Sequence, residues 1–502
     1  MISELAMYFS EDITLFLAPG VTGLLCFVSL SLLRRRGKLP PGPTPLPLLG
    51  NILQLGGGDI VTLLGKMREK YGDVFTIYLG SRPVVVVNGY DAVKEVYVDR
   101  ADDFLGRGDT ATFDTTCKNH GVAFTSDIDR WRELRRFSLS AMRDFGMGKK
   151  SIESCIIEES QCLVTKLKQT KGSFLDPKQF FNKVACNVIF SIVFGHRHDY
   201  EDTDLLDVVK TIGETFYIIS SRWGQVFEMF PRIMTFIPGK HQQFLSNMQK
   251  LLQYVRKRVE KNKETLDPDN PRDYVDAFLI KMEKDKNNPN SVYNMEDLVN
   301  STLHIFFAGV ETTGSTLTYA LLIFMKNPDV LGKVCEEIDR FIGQDRSPRM
   351  EDRNQMPFTD AVIHEIQRFI DLIPMGVPRK TTRDVEFRGY HLPKHTNIYP
   401  MITTVLKDPA CFPYSNEFNP KNFLDENGEF RKNDGFMPLA AGKRNCMGKA
   451  LARMEIFILI VTILQNFVLK PELSMRDLDL RPGVSGFGNL PKSYRLAFIP
   501  NN

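Results

Sequence analysis

None of the eight cysteines (residues 26, 117, 155, 162, 186, 335, 411 and 446) forms a CxxC pair or a zinc-ligand spacing. That excludes a zinc module and leaves reduced thiols, as in a cytosol-facing protein. Basic blocks and aromatic-basic stripes are also missing, so a net charge of +3 makes no case for a nucleic-acid partner. There is no G-x-S-x-G elbow and no H-E-x-x-H helix. The run Gly146-Met147-Gly148-Lys149-Lys150 lacks the first glycine of a phosphate loop, because Arg143 stands there. No dinucleotide site is present, and no repeat, low-complexity tract or second linker divides residues 51–502. Serine hydrolase, zinc peptidase and nucleotide-hydrolase readings fall away on these grounds.

What remains is a chain of 502 residues, 43% apolar and 25% charged, with ample material for a large core. Residues 13–33 carry no charge over 21 positions. As a helix they would measure about 31 Å, enough to cross a bilayer. Glu4, Glu11 and Asp12 precede this run, and Arg34, Arg35, Arg36 and Lys38 follow it. The positive flank predicts a single-pass signal-anchor with residues 1–12 as a short luminal tail and everything after residue 33 in the cytosol. A cleaved signal peptide fits less well, because the apolar run is long and its positive flank lies on the wrong side. Residues 34–50 combine the basic stop with Leu39-Pro40-Pro41-Gly42-Pro43-Thr44-Pro45-Leu46-Pro47, a stiff extended hinge. Residues 51–502 are then one catalytic domain. Asn300-Ser301-Thr302 is a sequon in a helical, cytosolic setting, where glycosylation is not expected.

Periodicity predicts a mainly α body with a small β region. Apolar residues recur three and four apart over 130–143, 184–194, 242–263, 294–326, 360–370 and 449–467, while 74–79, 84–87, 384–390 and 494–500 are β-rich. Pro328 and Asp329 separate the long central helix from its successor.

One cysteine stands apart. Cys446 lies in Gly442-Lys443-Arg444-Asn445-Cys446-Met447-Gly448, at the start of a long apolar helix. Backbone N–H groups and the helix dipole would favour a thiolate there. The glycines let the main chain pass closely under a flat object, and Arg444 offers a planar fork to a carboxylate. Together they describe a ligand loop for haem iron rather than a buried structural thiol. The loop resembles the cysteine signature of the cytochromes P450, Phe-x-x-Gly-x-Arg-x-Cys-x-Gly, with Leu439 in the phenylalanine position. The resemblance implies the cytochrome P450 fold, a haem b with Cys446 as axial ligand, and cofactor contacts at Gly448 and Arg444.

Further segments match the same family in order and spacing. Ala308-Gly309-Val310-Glu311-Thr312-Thr313 interrupts the central apolar helix with polar residues that are costly to bury unless used. Gly309 weakens the helix, and Thr312 can bond back to a preceding carbonyl, opening a groove for a diatomic. The family motif implies that Thr312 steers protons toward dioxygen, with Glu311 supplying them through water and Ala308 against the cofactor. Trp131 and Arg135, one turn apart, match a propionate-binding Trp-x-x-x-Arg, and Arg107 and Arg379 fall where other propionate contacts are expected. Glu365 and Arg368 match a structural Glu-x-x-Arg, whose usual third partner, a cation, is replaced by Asn422. Arg132, Arg136 and Lys443 form a basic face, either plainly solvated or a dock for an acidic electron-transfer partner.

The texture resembles microsomal family 2, and within it the fish 2K-type members. The implied reaction is monooxygenation, the hydroxylation or epoxidation of a fatty acid, steroid or xenobiotic. Electrons would come from NADPH through NADPH–cytochrome P450 reductase, with cytochrome b5 as a second donor, at the endoplasmic reticulum membrane. By resemblance the substrate pocket takes Phe113, Val122, Ile305, Ala308, Ile373, Val377 and Phe487, all apolar and each equally at home in an ordinary core. Phe124 to Trp131 is one residue longer than the family-2 pattern, and His304 replaces an acidic or apolar residue. The competing readings are a catalytically silent haem carrier or sensor and a haem-thiolate isomerase or dehydratase, neither of which needs a proton relay.

Overall fold

The computed structural model describes residues 39–56, 58–144 and 150–501. The expected anchor (13–33) and most of the 144–150 run lie outside the described residues. Among the described residues, no helix is long and apolar enough to cross a membrane.

The helices that build the site are α1 (Ala111–Cys117), α2 (Ile128–Asp144), α3 (Lys150–Gln169), α4 (Pro177–Phe194), α5 (Thr203–Ser220), α6 (Lys240–Glu264), α7 (Met295–Lys326), α8 (Pro357–Ile370) and α9 (Lys449–Asn466). The long helix α7 starts where Asn294 accepts the N–H of Asp297 at 2.9 Å, an N-cap that satisfies one of the free donors of the first turn. Most of its 32 residues are buried, as its near-continuous apolar run requires. Helix α4 packs along it, and Gly314 is small because an added Cβ would lie 1.7 Å from Asn182 Oδ1. Helix α9 is likewise buried around its circumference from Glu455 to Gln465.

Strands β1 (Val74–Leu79), β2 (Arg82–Val87), β3 (Gly106–Arg107), β4 (Arg379–Lys380) and β7 (Asn397–Pro400) form a sheet in the order β1-β2-β7-β4-β3. All pairs are antiparallel except β2 with β7. Pairs β5–β6 (Val385–Phe387, Tyr390–Leu392) and β8–β9 (Phe467–Pro471, Leu496–Pro500) stand apart. The central β7 is a strand that periodicity did not pick out. Asn397 and Pro400 at its ends are poor strand formers, and tertiary pairing decides the segment.

The proline segment docks on this sheet rather than standing free. Thr76 donates to Pro41 O from its N–H and to Pro40 O from its hydroxyl, both at 2.8 Å. A Cβ on Gly42 would lie 1.9 Å from Thr76 O, so close an approach needs glycine.

Candidate active site

A cavity of about 310 Å³ lies between α7 above and the Cys446 loop below, walled by α8, α9, β4 and the segment before α2. Helix α7 is bare toward it. Ala308 is exposed and Gly309 and Thr312 are half-buried in a helix whose neighbours on either side are covered. Thr312 Oγ1 donates to Ala308 O at 2.5 Å, the back-bond expected of a hydroxyl in an interrupted helix. Gly309 also admits α4, since a Cβ there would come within 2.7 Å of Ile189 Cδ1.

Cys446 faces this helix across the cavity. Protein envelops it, and its free surface opens on the cavity. Among the described cysteines it alone borders that space. Gly442 at φ +69° turns the loop against Tyr97, where a Cβ would lie 1.6 Å from the carbonyl oxygen. The Cys446 N–H donates to Leu439 O at 3.0 Å, so the residue in the phenylalanine position still anchors the loop through its main chain. Gly448 fits against the sulfur, and its N–H lowers the thiol pKa, as do Arg135 and Lys449. Burial outweighs them and the thiol is raised overall. Backbone N–H and nearby cations thus favour the thiolate at Cys446, as its place in the loop leads one to expect, while burial opposes it.

Four guanidinium groups meet at one side of the cavity. Arg107, Arg379 and Arg444 are buried and Arg135 is half-buried. Arg107 Nε donates to Ala123 O at 2.8 Å, Arg444 Nη2 to Thr125 O at 3.1 Å, and Arg135 Nη2 to Asn445 Oδ1 at 2.5 Å. Among the described residues, no carboxylate joins them, and Arg444 Nε and Nη1 and Arg379 Nε have no hydrogen-bond partner. Burial, then Arg107, Arg379 and Arg135, push Arg444 down to about 7. Burial, then Arg379, with a smaller push from Arg135, brings Arg107 to about 9. Trp131 lies beneath Arg444, ring centroid 4.3 Å from the guanidinium carbon. Buried, unpaired and mutually repelling cations call for an anion between them. Two carboxylates on a disc over the cysteine, the propionates of a haem, fit that demand.

The site residues read from the sequence mostly meet here. Arg107, Trp131, Arg135, Ala308, Thr312, Arg379, Arg444, Cys446 and Gly448 line the cavity with Val122, Ile305, Ile373, Val377 and Phe487. Two do not. Phe113 stands one layer back, stacked on Phe124 at 3.6 Å and bordering a smaller hollow instead. Glu311 turns away from the cavity. Its carboxylate pairs with Lys178 Nζ at 2.5 Å and accepts from Asn182 Nδ2 at 3.0 Å and Ser315 Oγ at 3.1 Å.

Sequence reasoning missed Phe124, Phe216, Phe307, Gln367 and Glu455, which also line the cavity. Glu455 follows Cys446 by nine residues on α9 and is fully buried, its Oε1 unpartnered. Burial raises it to about 8, against a weak opposing bond from Thr313 at 3.4 Å. An isolated acid inside an apolar helical run was its only signal.

Below the cavity, Arg368 grips both oxygens of Glu365 at 2.7 Å, and Asn422 Nδ2 lies 3.2 Å from each. The neutral amide thus replaces the missing cation by bridging. On the outer face, Arg132 pairs with Asp129, Arg136 with Glu133 and Lys443 with Asp102.

A cysteine-ligated haem cradle beneath an interrupted helix defines the class: a haem-thiolate oxidoreductase. The family model described as Cytochrome P450 matches residues 40–498, and the chain belongs to that family. It is similar to Cytochrome P450 2G1 of Oryctolagus cuniculus, 49% identical over 486 residues, covering 97% of this chain and 98% of that one. Cytochrome P450 2A11 of the same animal is 49% identical over 489 residues (97% and 99%), and Cytochrome P450 2B4 is 48% identical over 485 (97% and 99%). These are family-2 proteins, and the chain is a haem-thiolate monooxygenase.

Proposed function

We propose that Cys446 is the axial ligand and that Arg107, Trp131, Arg135, Arg379 and Arg444 hold the haem propionates, with Ala308 and Gly448 against the ring faces. The observation that carries this is one cavity onto which both a bare thiol and a set of arginines without a paired carboxylate among the described residues open. Bound haem supplies the activation of dioxygen with two electrons, one oxygen atom entering the substrate and the other leaving as water.

The chain's own part is to position and protonate. Thr312 offers the hydroxyl nearest the bare stretch of α7, ready to leave Ala308 O and bond to oxygen. Glu311 feeds protons only after giving up Lys178, so it acts as an inlet from the outer side of α7. Ile305, Ile373, Val377, Phe216, Phe307 and Phe487 exclude water and bind an apolar molecule, which supports lipophilic substrates of fatty-acid, steroid or xenobiotic type. No dinucleotide site is present among the described residues, so NADPH–cytochrome P450 reductase, assisted by cytochrome b5, brings the electrons to the face of Arg132, Arg136 and Lys443. Residues 13–33 serve as the single-pass anchor in the endoplasmic reticulum membrane, with the hinge at 34–50 and the catalytic domain in the cytosol. The finer likeness to fish 2K-type members rests on texture alone.

With reductase, NADPH and ¹⁸O₂, one labelled atom enters the product. Thr312→Ala keeps NADPH consumption while product falls at least tenfold and peroxide rises. Indifference to that substitution, with no labelled product from the parent, means a haem carrier.

A further inference from the structure

Three consecutive backbone N–H groups in the loop over the cavity are held by one stripe of α7. Gly121 donates to Asp297 Oδ1 at 2.8 Å, Val122 to Ser301 Oγ at 3.1 Å and Ala123 to His304 Nδ1 at 3.3 Å. The acceptors are spaced four and three residues apart, so they share a helix face. Asp297 is further approached by His120 Nδ1 at 3.2 Å and Arg130 Nε at 3.7 Å. Loop and helix press so closely that a Cβ on Gly121, at φ +78°, would lie 2.6 Å from His304 Cε1 and 2.8 Å from Asn300 Cβ.

His304 is the member of the stripe that reaches the cavity. Because Ala123 is a donor, Nδ1 is an acceptor and the ring proton sits on Nε2, 3.2 Å from Cys117 Sγ. Both ring nitrogens are consumed, and only carbon is left for a ligand. Protonation would set an N–H against the Ala123 N–H. Burial, with Arg107 nearby, pushes the imidazole down to about 3, and burial raises the Cys117 thiol to about 12. The ring meets Phe124 edge-on at 5.0 Å and 83°, and Phe124 lies flat on Phe113 at 9°. One imidazole thus joins α1, the loop and α7.

We propose that His304 is a specificity-determining positioning residue: a neutral latch that fastens the 117–124 loop to α7, fixes Phe124, backed by Phe113, as one wall of the cavity, and admits flat apolar substrates over thick ones. The inference rests on this cavity being the substrate site. It reverses the ordinary expectation for a histidine in a pocket, which is to bond the substrate or titrate. Here it makes the wall non-polar by using up its own polar atoms.

The test uses the full-length, haem-loaded chain and its His304→Ala and His304→Gln variants. Glutamine can accept from Ala123 and donate to Cys117. Amide hydrogen exchange over 121–123 reads the latch without turnover. Dissociation constants for naphthalene (flat) and adamantane (thick), from ligand-induced Soret shifts, read the specificity. The alanine variant is expected to exchange at Ala123 about fivefold faster, the loss of one ordinary hydrogen bond. Its preference for naphthalene over adamantane should fall by about tenfold, with both effects restored by glutamine. Unchanged exchange overturns the latch, and faster exchange with an unchanged preference overturns the specificity role. If neither probe shifts the Soret band even in the parent chain, it is the substrate-site reading that fails, and the specificity role fails with it.

Discussion

Arg368 and Arg444 are both deeply buried guanidinium groups, 1% and 5% exposed, and they sit in opposite kinds of surroundings. Arg368 is saturated. It grips Glu365 with two bonds and gives others to the carbonyls of Leu406, Ser415 and Glu417 at 2.8, 2.8 and 2.7 Å. Arg444 donates once, leaves two nitrogens without partners, and faces three more arginines. Burying a charge is tolerable when the fold supplies its partner. A charge whose partners are all internal belongs to the scaffold. A charge left short belongs to a site, and the number of missing partners indicates what it awaits.

The largest break in that comparison comes from the saturated side. Glu365→Ala leaves Arg368 charged and buried, and should cost about 3–5 kcal/mol. The protein should then fail to accumulate with haem, which chemical denaturation and the Soret yield both measure. Next in size, Arg444→Gln should act with opposite signs in two states. Haem affinity falls about tenfold as a charged hydrogen bond is lost, while the haem-free chain melts higher, because a repelling cation is gone. Paired thermal scans with and without haem read both. If both forms lose stability, Arg444 is scaffold like Arg368. Asn422→Leu removes the neutral bridge to Glu365 and should cost about 1–3 kcal/mol with the haem spectrum unchanged.

Taken over a single pH unit, the smallest effect concerns the lone buried acid. The pKa of Glu455 rises on folding from 4.5 to about 8, so between those values the folded chain holds a proton that the unfolded chain has released. Stability falls as pH rises through that window, by up to about 1.4 kcal/mol per pH unit, and levels off above it. In Glu455→Gln the denaturation midpoint should lose that slope.

Much of this was legible in the chain. The helices were, because α7 and α9 carry apolar runs too long for anything else, and so were Cys446, Arg444, Trp131 and Arg135, because glycine and helical spacing dictate where their side chains go. The strand β7 was not, since Asn397 and Pro400 at its ends carry no strand signal. Nor was the orientation of Glu311, which depends on Lys178 and Asn182 far away in sequence. Phe113 was read one layer too far inward, because an apolar residue next to a pocket and one behind it look alike in sequence. His304 was visible as a departure from family habit, and its meaning lay in a loop some 180 residues distant.

The central claim is that one thiol and one set of unpaired cations hold a haem between them. The direct measurement is the carbon monoxide difference spectrum of the dithionite-reduced protein, parent chain against Cys446→His. A thiolate-type, red-shifted Soret band in the parent, moved to the blue by histidine, is the result expected. A blue-shifted band in the parent, or the same spectrum from both proteins, would contradict ligation by Cys446.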